Sequence, residues 1–469
     1  MREHIPLHDP AAPADATAAL YAKRRHVYVR AVHGRFQRLR RNANWILMAL
    51  YLGLPWLTWQ GRPMVWFDLP GREFHVFAAT FYPQDFALLA WLLILCAFGL
   101  FLITVFAGRV WCGYACPQSV WTWLYLWVET LAEGPRHRRI RRDSQPMNAA
   151  KLARKSLKHG LWLMIAVATG VTFVGYFTPI RGLTVDLATL SASGWAWFWI
   201  GFFTLFTYLN AGWLREQVCL YMCPYARFQS VMFDKDTLVV SYDAARGDPR
   251  GARRRDLDHR AAGKGDCIDC GLCVQACPTG IDIRDGLQYA CIGCAACIDA
   301  CDGVMDRLDA PRGLIRYTTE HALEGRRTRL WRPRLLGYLA ALLVMTGLLV
   351  WALSTRVALD IDVQRDRNQL YDLTAEGDIR NVYTLQVRNL DRHAHDFRIA
   401  VRGIDGLRLT SDAELHLAGG ASRRLPLQLT APPAALDGPG RTISIAVSAV
   451  DAPAIALTKE ARFLGPARR

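Results

Sequence analysis

Three features of this 469-residue sequence predict an α-helical polytopic membrane protein with a cysteine-rich insert and a C-terminal all-β domain. Long apolar stretches recur between basic loops in a chain that is 52% hydrophobic, and eight cysteines fall in a doubled, closely spaced run. About the last 110 residues alternate apolar with polar side chains.

About five spans are expected, because a membrane-crossing helix needs about 17 to 25 mostly apolar residues. Stretches 43–60, 86–107, 160–179, 195–213 and 335–353 qualify, the first being short and interrupted by Pro55. Trp56, Trp59, Trp195, Trp197 and Trp351 stand near their ends, where aromatic side chains sit at headgroup level. Residues 1–20 lack the basic-then-apolar order of a signal peptide, so no cleavage is expected. Cys96, alone within the second stretch, reads as a small buried hydrophobe.

Orientation follows from Lys and Arg, which concentrate in cytoplasmic loops. Residues 20–41 hold eight and residues 108–160 hold ten, against two in 61–85 and one in 180–194. The segment before the last span carries Arg326, Arg327, Arg329, Arg332 and Arg334. The N-terminus is therefore expected inside and the C-terminus outside. On this reading the net charge of +16 reports topology and attraction to anionic membrane lipid. No nucleic-acid module is recognisable, so no nucleic-acid partner is expected.

The insert reads Cys267-x2-Cys270-x2-Cys273-x3-Cys277-Pro and, after 13 residues, Cys291-x2-Cys294-x2-Cys297-x3-Cys301. This spacing suits two 4Fe-4S clusters of the bacterial ferredoxin type, in which the fourth Cys of each run serves the other cluster. One cluster would take Cys267, Cys270, Cys273 and Cys301; the second would take Cys291, Cys294, Cys297 and Cys277. Structural zinc or disulfides are the alternatives. Asp302 stands where the second run lacks the trailing proline. Topology puts the insert on the cytoplasmic side between the fourth and fifth spans. Gly263-Lys264-Gly265 just before it has no nucleotide fingerprint around it.

All 13 cysteines lie at or before Cys301, so the external segment is not built on disulfides. It shows period-two alternation at Tyr383, Leu385 and Val387, at Phe397, Ile399 and Val401, at Leu425, Leu427 and Leu429, and at Ile443, Ile445 and Val447. Several short strands between glycine and proline turns over about 100 residues suggest an immunoglobulin-like sandwich. His393 and His395 could touch a metal, but solvated loop histidines are the expected reading. The expected domains are a basic N-terminal segment 1–42, a four-span membrane domain 43–256, the ferredoxin-like insert 257–310, a basic linker 311–334, the fifth span 335–353 and the sandwich 354–469.

A repeat within the membrane part carries further chemistry. Cys112-Gly113-Tyr114-Ala115-Cys116-Pro117 and Cys219-Leu220-Tyr221-Met222-Cys223-Pro224 each read Cys-x-Tyr-x-Cys-Pro directly after an apolar stretch, and both precede a Gln-Ser-Val, at 118–120 and 229–231. Proline biases the preceding Cys away from the helical region and suits the first turn of a following helix. If helical, the thiols of each pair lie about one turn apart and could approach one soft ion. Two pairs offer up to four thiolates, which select copper(I), zinc or iron–sulfur centres. Packed structural thiols, a disulfide within each pair and structural zinc compete with that reading.

The chain resembles, over nearly its whole length, the cytochrome c oxidase accessory proteins CcoG, also called FixG or RdxA. The resemblance rests on Gly108-Arg109-Val110-Trp111-Cys112-Gly113-Tyr114-Ala115-Cys116-Pro117-Gln118, on Cys219 through Met232, on the doubled cysteine run and on the C-terminal sandwich. It implies a bacterial inner-membrane protein needed for assembly of the cbb3-type oxidase and acting as a copper reductase, with the insert cytoplasmic and the sandwich periplasmic. Cys112, Cys116, Cys219 and Cys223 match the motifs proposed to handle copper. The partners expected with it are a cytosolic electron donor, a copper-exporting ATPase or copper chaperone, oxidase assembly factors and a homodimeric second copy. A quinol-linked electron-transfer subunit and a non-enzymatic assembly scaffold with redox-sensing clusters are the rival readings. Haem is disfavoured, since no His lies within the second, fourth or fifth apolar stretch.

Overall fold

The computed structural model describes residues 26–59, 61–77, 79–252, 263–366, 370–391, 393–436 and 438–466. Most of the basic segment 1–42 and the expected 256/257 boundary lie outside them. The chain forms two compact units that meet at Gly347 and Leu348.

The main helices of the first unit are α1 (Arg35–Gly53), α2 (Phe86–Ala107), α3 (Pro117–Glu133), α4 (Ala149–Gly175), α5 (Gly194–Thr207), α6 (Pro224–Met232) and α7 (Ala296–Arg307), and α8 (Pro333–Ser354) runs across the boundary. By length and composition α2, α4 and α8 can cross a membrane; α2 and α8 match the second and fifth apolar stretches, and α4 overlaps the third but begins at Ala149 and ends at Gly175. The other two stretches depart from continuous helix. Pro55 ends the first, where a 3-10 turn at Leu54–Trp56 leads into an extended pair, and α1 begins upstream among Arg35, Arg38, Arg40 and Arg41. The fourth is α-helical only to Thr207 and then widens into a π-helix, Tyr208–Leu214. Cys96 is exposed on the outer face of α2 rather than buried.

Small residues set the packing of α4 on α5. A Cβ at Gly170 would lie 2.7 Å from the Ile200 carbonyl, so only glycine allows the approach. Phe173 and Phe203 meet beside it with centroids 3.8 Å apart. At one end of the helices the lightly charged loop 61–85 joins the end of α4, with the Phe67 amide donating to the Tyr176 carbonyl at 2.7 Å. At the other end the basic segments converge: Arg136 donates to the Tyr28 carbonyl at 2.8 Å, and the Arg30 amide to the Gln275 carbonyl at 2.8 Å.

Both cysteine runs lie between two strands, β1 (Val239–Tyr242) and β2 (Ile315–Thr318), which pair antiparallel. The second run continues into α7, whose Asp299 accepts the Phe36 amide at 3.2 Å and the Gln37 amide at 2.7 Å. Helix α1 has no side-chain cap of its own. A carboxylate from the insert therefore satisfies donors that every helix start leaves open. A Cβ at Gly34 would lie 2.2 Å from the Asp299 Cγ, which explains the glycine there.

The second unit is a two-sheet sandwich of β3 (Leu359–Arg365), β4 (Asp372–Leu373), β5 (Ile379–Asn389), β6 (His395–Arg402), β7 (Arg408–Leu409), β8 (Glu414–Leu417), β9 (Ser422–Ala431), β10 (Gly440–Ala449) and β11 (Ala456–Leu464). One sheet has the order β7-β9-β5-β3 with β4 also on β5, and the other has β8-β6-β10-β11. The expected alternation holds. Tyr383, Leu385, Val387, Phe397, Leu427, Leu429, Ile443, Ile445 and Val447 fill the space between the sheets.

His395 is not the solvated loop histidine expected. It is buried at the start of β6, with Nε2 2.9 Å from Asp391 and Nδ1 2.7 Å from Asp451. His393 beside it is exposed. Hydrogen bonds to Asp391 and then Asp451 raise the His395 pKa above its ordinary value. A group whose folded pKa is raised stabilises fully below its ordinary pKa and loses that contribution as pH rises through the folded value. Hydrogen-exchange protection of β5, β6 and β10, corrected for intrinsic rates, should therefore be greatest below the ordinary histidine pKa of about 6.5 and fall as pH rises above it. In His395→Gln that pH dependence should disappear.

Candidate metal centre

The two cysteine runs fold into matching loops. Each reads Cys-Ile-x-Cys-x-x-Cys, and the residues flanking its middle cysteine take positive φ: Asp269 (54°) and Gly271 (64°) in the first, Gly293 (66°) and Ala295 (58°) in the second. Left-handed backbone on both sides of one cysteine coils the chain around a small volume. Non-glycine residues hold that conformation at a cost of roughly 1–2 kcal/mol each.

Each loop encloses a cavity. The first, with about 360 Å³ of empty space, is lined by Cys267, Cys270, Cys273 and Cys301. The second, about 340 Å³, is lined by Cys277, Cys291, Cys294 and Cys297 together with Cys273. The fourth cysteine of each run has thus crossed to the cavity of the other. Burial pushes the Cys273 thiol up to about 11 and Cys291 and Cys301 up to about 12, with neighbouring thiols adding to the shift. Among the described residues no three His, Cys, Asp or Glu converge as they would on one metal ion. The thiols of each group line a cavity, which suits a multi-iron cluster. All 13 cysteines are free, which leaves no disulfide in either run or in the Cys-x3-Cys pairs.

The first Cys-Pro motif sits against the second cavity. Cys116 and Cys223 are both extended, at φ −62°, ψ 127° and φ −82°, ψ 110°, and the prolines after them open α3 and α6 as their sequence requires. Cys112 lies on a short helical turn, Val110–Tyr114. Cys219 departs from the expected α-turn, because Val218–Met222 is π-helical. Single π turns inside helices are frequent at functional sites. The four thiols form one electrostatic group: burial raises Cys112 and Cys219 to about 12, and Cys116 and Cys223 add to both shifts.

Contact between motif and cavity is backbone to backbone. A Cβ at Gly113 would lie 2.9 Å from the Cys294 Cα and 3.0 Å from its nitrogen, and one at Gly293 would lie 3.1 Å from the Arg109 carbonyl carbon. Cys112 packs on Cys294, Ile292 and Ala276. Its thiol donates to Gln229 Oε1 at 3.4 Å, while Gln229 Nε2 donates to Thr104, which in turn meets the Tyr225 hydroxyl at 2.6 Å. The second Gln-Ser-Val thus supplies a partner to the first thiol pair.

A buried charge cluster joins the two halves. Glu129 on α3 lies 3.2 Å from Arg139 and 3.0 Å from Arg215, and Glu133 lies 3.0 Å from Lys158. Arg215 and Lys158 both stand over the Trp162 ring, at 5.3 and 4.9 Å. Arg215 has φ 46° and opens the turn that carries Cys219, so the carboxylate holds a strained residue in place. None of Arg109, Gln229, Glu129 or Arg215 stood out in the sequence as a site residue. Only their closeness to the motifs, such as Arg109 three residues before Cys112, was a signal.

Two cavities ringed by thiols, a dicluster loop pair and helices of membrane length define an iron–sulfur electron-transfer protein. Comparison with known families agrees: residues 214–320 match a 4Fe-4S dicluster domain, 89–128 a 4Fe-4S binding domain and 349–466 the Ig-like fold at the C-terminal of FixG. The chain is 40% identical to Protein RdxA of Cereibacter sphaeroides over 436 residues, covering 88% of this chain and 91% of that protein. It is 43% identical to Protein RdxB of the same organism over 87% of this chain and 86% of that protein. It is 36% identical to the nitrogen fixation protein FixG of Rhizobium meliloti over 86% and 83%. The chain belongs to the FixG/RdxA family.

Gly113→Ala should force the motif off the second loop, because backbone atoms cannot yield as a flexible side chain would. Iron analysis should then show loss of about half the iron, with the first cavity still loaded. Glu129→Gln leaves Arg139 and Arg215 buried without their counter-charge. Thermal unfolding of the detergent-solubilised protein should report a loss of about 3–5 kcal/mol.

Proposed function

We propose that this protein is a multi-pass oxidoreductase of the bacterial inner membrane that reduces copper(II) to copper(I) for assembly of a cbb3-type cytochrome c oxidase. In this reading all five apolar stretches cross the bilayer, with the insert cytoplasmic and the sandwich periplasmic. The observation that carries it is the packing of the first thiol motif, through Gly113 and Cys112, directly on the loop of the second cysteine cavity, with the second motif joined to it by the bond from the Cys112 thiol to Gln229.

Cys267, Cys270, Cys273 and Cys301 would hold one cluster, and Cys277, Cys291, Cys294 and Cys297 the other. When bound, such clusters store and pass single electrons at potentials set by their surroundings. Cys112, Cys116, Cys219 and Cys223 bind the substrate ion. Thiolates favour copper(I), whereas copper(II) prefers nitrogen and oxygen ligands, so adding one electron makes the form these thiols hold tightest. The thiols are protonated when buried and give up their protons on ligation. Each copper(II) takes one electron. A cytosolic donor replaces it, and a copper-exporting ATPase or chaperone receives the copper(I).

A specific finding favours a second reading. The 4Fe-4S match over residues 89–128 includes Cys112 and Cys116, so the four motif thiols would hold a third cluster and relay electrons.

Chemically reduced protein, mixed anaerobically with copper(II) and a copper(I) chelator, should yield about one copper(I) per stored electron as the cluster absorbance recovers. The copper reading is lost if copper(II) leaves the clusters reduced while a quinone reoxidises them. Replacing Cys112, Cys116, Cys219 and Cys223 together by Ser should abolish copper binding and leave about eight iron per chain in both proteins. A wild type with about twelve iron, falling to about eight in that variant, would establish the third cluster instead.

A further inference from the structure

Arg109 has no role in the chemistry described so far, yet it lies at the junction of the two centres. It is 6% exposed and precedes the first thiol motif. Its guanidinium donates to the carbonyls of Tyr289 and Cys291, on the second cysteine loop, and to the carbonyl of Ala226, at the start of α6 just beyond Cys223. One side chain thus bonds the cavity loop and the second thiol motif while belonging to the first. Among the described residues no ion pair to a carboxylate involves it. The thiols of Cys112, Cys291, Cys219 and Cys223 are the ionisable groups that act on it most strongly.

A buried cation without a carboxylate acts on whatever negative charge develops around it. Adding an electron to a thiolate-ligated cluster, or to thiolate-bound copper, makes either centre more negative by one charge. In a low-dielectric interior a fixed positive charge nearby favours that change strongly. We propose that Arg109 sets the redox poise of this junction, favouring the reduced state of the centre held by Cys277, Cys291, Cys294 and Cys297, while its fork of donors fixes the distance to the motif thiols. Because the charge faces both sites, it favours reduction of donor and acceptor alike. The driving force between them is then left nearly unchanged. The inference rests on the proposed function only for the identity of the acceptor.

The test is a redox titration of the purified, cluster-loaded protein followed by electron paramagnetic resonance. In Arg109→Gln, with iron content equal to wild type, one of the two cluster signals should become at least tenfold harder to reduce, a shift of about 59 mV to lower potential, while the other stays put. Arg109→Lys keeps the charge without the fork, so its potential should stay closer to wild type than that of the Gln variant. No shift in Arg109→Gln with iron intact would overturn the inference and leave the copper reading untouched. A shift in a protein that copper(II) fails to reoxidise would uphold the inference and remove the copper reading. If Arg109→Gln loses iron, Arg109→Lys decides: iron retained at a near-wild-type potential supports the charge, and iron lost there too reduces Arg109 to a structural fork.

Discussion

The approach of the Gly113 backbone to the loop at Gly293 and Cys294 is the constraint on which the rest of the first unit depends. A Cβ on Gly113 would strike the backbone of Gly293 and Cys294, and one on Gly293 would strike that of Arg109. That closeness presses Cys112 onto Cys294 and brings Arg109 within reach of the Cys291 carbonyl. A single methyl group at Gly113 would open that contact. The buried pairs at Glu129 serve the same end from the other side. They hold Arg215, and with it the Cys219 turn, against α3. Buried ion pairs are poor sources of net stability, so their value here is in fixing where the second motif starts.

What the sequence made legible was periodic or repeated. The sandwich followed from alternation at Tyr383 to Val387 and Ile443 to Val447, since a pleated strand puts every second side chain in the core. The crossing of Cys277 and Cys301 between cavities followed from the spacing of the two runs. Turns at Cys116 and Cys223 followed from the prolines behind them. Pairings between distant segments were not legible. Arg109 meets Tyr289 across 180 positions and Gln229 meets Cys112 across 117, and no local pattern announces either. His395 was misread for the same reason: Asp391 is a neighbour, but Asp451 arrives from a different strand connection. The π-helices were missed because hydrophobic periodicity over so few residues does not distinguish one extra residue per turn.

The repeated motifs are alike in sequence but differ in conformation. The first pair spans an ordinary helical turn and a proline-led helix, while the second spans a π-helix that starts from a left-handed arginine. A duplicated element is thus built on two unlike backbones, so its two thiol pairs are not presented in the same way. The same economy shows in the cysteine loops, where one backbone pattern is used twice and only the fourth ligand is exchanged.

The cap on α1 has a consequence for how the chain is made. Helix α1 is synthesised early, but the carboxylate that accepts its first amides, on Asp299, lies 263 residues later in the chain. At synthesis rates of about 5–20 residues per second, α1 waits for tens of seconds with those donors open to water. Its final docking can be completed only when the cysteine insert has emerged and folded. A chain whose insert fails to fold therefore leaves the first amides of α1 uncapped, although the rest of that helix still packs on α3 and α4.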